Sequence, residues 1–155
     1  MDENTYLTID GARQLKDELE KLKGTVRDQL AKRLRAAIQQ GDLTENADYI
    51  TAKEEQSFLE GRIQDLEKIL KNVIIIDDLK LSGDYVEIGA HITVQELGST
   101  PEEFFLVGPH EADPSRGRIS FESPLGSALM NCRVGDIVNV ETPEGKTLFK
   151  IIQIQ

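Results

Sequence analysis

The sequence predicts an α+β protein, a long antiparallel helical hairpin followed by a small domain of strands with one short helix. Three observations carry this. Apolar residues recur at steps of three and four through the first half of the chain, and alternation with period two takes over after residue 76. All five prolines, Pro101, Pro109, Pro114, Pro124 and Pro143, lie in the second half. Helix interiors exclude proline because its ring removes an N–H and clashes with the preceding turn, whereas turns use it. A chain of 155 residues suits one ordinary domain or two small ones, and the change of period divides it into 1–76 and 77–155.

The first helix opens at Thr8-Ile9-Asp10-Gly11, with Thr8 as N-cap. Its stripe runs Leu15, Leu19, Leu22, Val26, spaced 4, 3, 4, and continues at Leu30, Leu34 and Ala37. The regular part is a coiled-coil seam, and the extra step of four is a stutter that locally unwinds it. Gly41 is the stop signal. A second stripe, Leu59, Ile63, Leu66, Leu70, Val73, gives the second helix. Both stripes are narrow and flanked by charge, so each helix buries its seam on the other. Helices of roughly 30 residues are about 45 Å long, and the hairpin is expected to reach beyond a small domain, with its tip at 41–49.

In the second half, Tyr85-Val86-Glu87-Ile88, His91-Ile92-Thr93-Val94-Gln95 and Arg118-Ile119-Ser120-Phe121 alternate as strands. Phe104-Phe105-Leu106-Val107 is a short buried run, with Phe104, Phe105, Phe121 and Phe149 assigned to the core. Ile137-Val138-Asn139-Val140 and Leu148-Phe149-Lys150-Ile151-Ile152 flank a hairpin turn at Pro143-Glu144-Gly145-Lys146. Ser123 caps a short helix whose first residue is Pro124.

Composition excludes several functions. The net charge is −10, so tight binding of free nucleic acid, which needs clustered cations, is not expected. No apolar run approaches the roughly 20 residues of a membrane span, and the acidic start Met1-Asp2-Glu3-Asn4 is not a secretory signal. A cytoplasmic location is expected. One cysteine, Cys132, and two histidines, His91 and His110, build neither a disulfide nor a zinc site. Cys132 and His91 read as structural. Lys32, Arg33 and Arg35 form the densest basic cluster, and no Lys or Arg occurs from Ala36 to Ala52.

Within that gap lies Gly41-Asp42-Leu43-Thr44-Glu45-Asn46-Ala47-Asp48-Tyr49. Asp42 and Glu45 fall three apart at the expected start of the second helix, where side chains on one turn are roughly 5–6 Å apart at Cβ. Two such carboxylates suit Mg²⁺, which takes one or two and keeps waters or phosphate oxygens elsewhere. Asp-x-x-Glu is also a capping box, so the spacing alone leaves structure and metal chemistry both open. Leu43 and Tyr49 are apolar groups at an exposed tip with no core of their own, which suggests insertion into a partner.

This segment, followed by Thr51-Ala52-Lys53-Glu54, resembles the tip signature of the bacterial transcript-cleavage factors, the GreA/GreB family. Val107-Gly108-Pro109, Glu111-Ala112-Asp113-Pro114, Ile119-Ser120-Phe121-Glu122-Ser123-Pro124-Leu125-Gly126 and Val134-Gly135-Asp136 resemble its C-terminal domain. The resemblance covers nearly the whole chain and is closer to the GreA branch. It implies an FKBP-like C-terminal domain that docks at the rim of the RNA polymerase secondary channel, and a hairpin that enters the channel. Asp42 and Glu45 would then help hold a second Mg²⁺, shared with the polymerase, and position the water that hydrolyses nascent RNA near its 3′ end. Asn46 would orient the tip or contact substrate, and Leu43 and Tyr49 would pack against active-centre elements. Where the family often has an Ala-Arg pair ahead of the tip glycine, this chain has Ala37-Ile38, so RNA or channel contact falls to Lys53, Arg35 and Arg33. A channel-binding regulator without cleavage and a C-terminal prolyl isomerase are the rival readings. A monomer is expected, because the seam is satisfied within the hairpin.

Overall fold

The computed structural model describes residues 4–155. The chain groups into two compact units, one of Ala12–Val73, the other of Asn4–Gly11 with Ile74–Gln155. The segment before the helical hairpin thus groups with the strand-rich unit.

In the hairpin, α1 (Ile9–Lys21), a π-helical turn (Leu22–Val26) and α2 (Arg27–Ile38) follow without a break, since the residues at both joints keep right-handed helical angles. After a short loop comes α3 (Ala47–Lys71). The π turn is the structural answer to the stutter. At about 100° per residue, steps of three and four alternate about one line, but the three successive steps Leu22, Val26, Leu30, Leu34 carry the stripe round the helix. A π turn bonds i to i+5 and takes extra residue length into one turn. The correction is therefore concentrated in one turn. Beyond it Leu30, Leu34 and Ala37 are buried, as are Ala52, Leu59, Ile63 and Leu66 of α3. Val73, assigned from sequence to the second helical stripe, instead lies in strand β2 (Val73–Ile75).

Ion pairs flank the seam. Arg27 donates Nε and Nη2 to both carboxylate oxygens of Glu60 at 3.0 and 2.9 Å, and Arg62 grips Glu18 at 2.9 and 3.0 Å. Lys23 meets Glu67 at 3.3 Å, and Arg33 pairs with Glu55. Positions 23, 27 and 33 rise on one arm as 67, 60 and 55 fall on the other, the register of antiparallel helices. These solvent-screened pairs set the register of the two arms more than they stabilise it. Burial of the seam leucines stabilises the hairpin more, by about 1.5–3 kcal/mol apiece.

The second unit is built on a five-stranded sheet in the order β5-β4-β3-β7-β6, where β3 is His91–Glu96, β4 Glu102–Val107, β5 Arg118–Ser120, β6 Ile137–Thr142 and β7 Gly145–Ile154. Only β4–β5 is parallel. The helix α4 (Pro124–Leu129) starts as expected, with Ser123 Oγ accepting from the Gly126 N–H at 3.1 Å, and packs against β5 and β6. The core holds Val86, Ile92, Val94, Leu106, Ile119, Leu129, Val140 and Ile151. Two sequence expectations need correction. Tyr85–Ile88 is loop, because Val86 exchanges backbone hydrogen bonds with Asn131 and Cys132 instead of a strand. Phe105 is not a core residue. It stacks on His91 with ring centroids 4.4 Å apart, and the Arg118 guanidinium lies 6.0 Å from its centroid.

The N-terminal segment joins this unit through defined contacts. β1 (Thr5–Leu7) pairs with β2, and Tyr6 meets Phe121 edge to face. Thr8 caps α1 as the sequence predicts, its hydroxyl accepting from the Gly11 N–H at 3.0 Å. The capping residue is itself held. Its backbone N–H donates to Glu111 Oε2 at 2.7 Å and its hydroxyl donates to Oε1, while Arg118 stands 3.7 Å from the same carboxylate. A Cβ on Gly11 would overlap the Glu111 carboxylate, so glycine at this helical position leaves room for it.

That contact makes a prediction. Gly11→Ala and Glu111→Ala should each cost about 1–3 kcal/mol, since each breaks the bonds to a nearly buried carboxylate. In the Glu111→Ala background, Gly11→Ala should instead be neutral or stabilise by up to about 1 kcal/mol through helix propensity. A double-mutant cycle in urea checks this; simple additivity would show that the two residues do not meet.

Candidate functional site

The tip lies between Ile38, the last residue of α2, and Ala47, the first of α3. Gly41 has φ of 113°, a region open to glycine, and allows the chain to leave the helix where the sequence placed the stop. The second helix begins later than expected. Its N-cap is Asn46, whose Oδ1 accepts from the Tyr49 N–H at 3.0 Å. Asp42 and Glu45 are therefore not on its first turn and do not form a capping box. The Asn46 Nδ2 also donates to the Ala37 carbonyl at 2.6 Å, a second bond on an oxygen that accepts from the Gln40 N–H at 3.1 Å, so one side chain touches an end of each helix.

Asp42 instead closes a local turn. Its Oδ1 accepts from the Thr44 N–H at 3.0 Å and from the Thr44 hydroxyl at 2.8 Å. The backbone bond, and next the hydroxyl bond, hold the Asp42 carboxyl below its ordinary value, so it is a carboxylate at neutral pH. Asp42 and Glu45 are both solvent-exposed. The Asp-x-Thr pattern of a side-chain-closed turn was the available signal for Thr44, which sequence reasoning passed over.

The other tip residues divide. Leu43 is 40% exposed, as an apolar side chain kept for a partner would be. Tyr49 is not, because it is half-buried and packs against the hairpin's own apolar seam. It does have a core to fill, since the α3 start at Ala47 turns it inward. Arg33 is committed to Glu55, and Lys53 Nζ donates to Gln56 Oε1 at 3.1 Å. Neither Lys32 nor Arg35 makes an ion pair or hydrogen bond through its side chain among the described residues, so both cations of the cluster other than Arg33 remain available. Ile38 stands 50% exposed at the base of the tip.

As a donor set the tip offers hard carboxylate oxygens, which suit Mg²⁺. Among the described residues no group of three or more His, Cys, Asp or Glu could hold a metal ion.

The comparisons with known proteins agree across both units. The family description "Transcription elongation factor, N-terminal" matches residues 5–75, and "Transcription elongation factor, GreA/GreB, C-term" matches 81–155. The transcription elongation factor GreA of Acetivibrio thermocellus is 44% identical over 150 residues, 96% of this chain and 94% of that protein. GreA of Thermoanaerobacter pseudethanolicus is 43% identical over 156 residues, 100% of this chain and 99% of that protein. Among solved structures, GreA factor homolog 1 of Thermus thermophilus is 29% identical with a TM-score of 0.44, covering 99% of both chains. Matched along both units, this chain belongs to the GreA/GreB family of transcription elongation factors.

Proposed function

We propose that the chain is a transcript-cleavage factor that reaches the catalytic centre of bacterial RNA polymerase through its secondary channel and stimulates hydrolysis of the nascent RNA near its 3′ end. The carrying observation is the pair of exposed carboxylates, Asp42 and Glu45, at the turn of a hairpin in a GreA-family chain. The factor stimulates the polymerase's own hydrolysis and does not catalyse alone.

Asp42 and Glu45 would hold one Mg²⁺ together with the polymerase and the RNA. The ion would supply Lewis-acid activation of water and charge stabilisation at the reacting phosphate. Asp42, kept ionised by Thr44, presents a charged oxygen without first losing a proton. Two exposed carboxylates hold Mg²⁺ weakly, so the ion is retained only where partner ligands complete its shell. Leu43 would make an apolar contact within the channel, and Arg35 is the cation best placed to meet RNA phosphate or the channel wall. Tyr49 contributes by fixing the start of α3 against the seam. The strand-rich unit would dock at the channel rim, and one copy of the chain suffices for the whole task.

Stalled, backtracked complexes with Mg²⁺ provide the test. Asp42→Asn and Glu45→Gln should each lower stimulated cleavage by about 10²-fold or more, the scale of losing a charge-stabilising group. Competition for polymerase should change little. Undiminished cleavage by both variants would remove the metal role. Polymerase binding with no RNA shortening by the unmodified chain would favour a regulator without cleavage, the reading that the exposed Ile38 supports.

A second prediction concerns protonation. With the folded Asp42 carboxyl lowered, its turn is fully formed above the ordinary aspartate range and is lost only as pH falls through the lowered value, below about pH 4. Thr44→Val removes the hydroxyl bond and leaves the backbone bond, so the Asp42 titration midpoint should move part of the way up. Carboxyl-carbon NMR reads this directly, and an unmoved midpoint would show that the hydroxyl does not hold the carboxylate.

A further inference from the structure

We propose that Asn46 is the positioning residue of the tip, holding the loop that carries Asp42 and Glu45 in one arrangement by clasping the ends of α2 and α3. The proposal rests on the cleavage reading for its kinetic consequence, though not for the clasp itself.

The two bonds of Asn46 differ in kind and destination. Oδ1 accepts from Tyr49 N–H at 3.0 Å, inside the first turn of α3. Nδ2 donates at 2.6 Å to the carbonyl of Ala37, in the last turn of α2 and nine positions back along the chain. That carbonyl also accepts from the Gln40 N–H at 3.1 Å, so Asn46 adds a second bond that ties the end of α2 to the start of α3. The segment 39–45 is thereby closed at its base by a side chain, in addition to the helix backbones.

Closure at the base matters because the loop has little else. Residues Gly41, Asp42, Leu43, Thr44 and Glu45 are all exposed, and the one side-chain interaction among them is the local turn of Asp42 with Thr44. None of them belongs to the packed seam. Just outside the loop, Ala37 is 2% exposed and Ala52 1% exposed, so the clasp is anchored on the packed end of the hairpin. A carboxylate pair that must meet ligands on another molecule depends on that anchor for its placement.

Asparagine is the side chain that serves both bonds, because it carries an acceptor oxygen and a donor nitrogen on one planar group. Aspartate keeps the cap but turns an oxygen toward the Ala37 carbonyl oxygen. Serine keeps the cap, being among the preferred N-cap residues, but has no second atom to reach α2. These variants separate the clasp from the helix start.

The test uses the full chain with Asn46→Ser and Asn46→Ala. In the unmodified protein, backbone amide relaxation at Asp42 and Glu45 should give order parameters near the rigid value of about 0.85, and in Asn46→Ser they should fall toward about 0.6 or below. The Tyr49 amide should stay protected in Asn46→Ser and lose protection in Asn46→Ala. In stalled complexes, maximal cleavage by Asn46→Ser should drop on the order of tenfold while the half-saturating factor concentration stays within about twofold, as for lost placement with retained binding.

Order parameters at Asp42 and Glu45 unchanged by both substitutions would overturn the clasp. Full maximal cleavage with a raised half-saturating concentration would overturn the positioning role in favour of a binding one. If Asp42→Asn cleaves as well as the unmodified chain, the cleavage reading itself fails, and the order parameters still decide whether Asn46 holds the loop.

Discussion

The hairpin depends on one narrow apolar seam between α2 and α3. Leu30 and Leu34 on one arm meet Ala52, Leu59 and Ile63 on the other, with ion pairs along the flanks. So slender a core tolerates little drift, because a small angular error repeated at every turn would carry a leucine into water. The π turn at Leu22–Val26 is the consequence. It places the residues beyond it back in register, and with them the carbonyl of Ala37 and the base of the tip.

At the tip the seam ends and chemistry takes over. Tyr49 is the last side chain packed on the hairpin's own core, and the residues from Gly41 to Glu45 are exposed. The loop is ordered by side-chain hydrogen bonds, Thr44 on Asp42 and Asn46 on both helix ends. Bonds of this kind are net weak in water, but they are directional. They hold Asp42 and the ends of both helices, and both carboxylates, Asp42 and Glu45, stay exposed to solvent.

The strand-rich unit follows a different logic. Its sheet buries one face under α4 and the loop at Val86, while Phe105, His91 and Arg118 gather on the other. Glu111 shows why local pattern misleads here. It sits in a proline-bounded loop that gives no hint of a partner, yet it holds Thr8 from more than a hundred residues away. No periodicity records such a contact, because its two ends belong to segments with separate local rules.

Helical and strand periodicity, the placement of proline, and Gly41 as a stop are local properties, so the two-part α+β architecture and the position of the tip were legible in residues alone. The Thr8 and Ser123 caps were legible for the same reason. The carboxylates of Asp42 and Glu45 were legible as a pair, and so was their likeness to a transcript-cleavage signature. Tertiary structure decided what depends on two segments meeting. It moved the cap of α3 from Asp42 to Asn46, whose side chain bonds both the Tyr49 N–H and the Ala37 carbonyl. It turned Tyr49 inward, committed Arg33 to Glu55 and left Arg35 available. Spacing reports which side chains can share a face; which of them is engaged is set by the packing energy of the opposite arm, and that arm is distant in sequence.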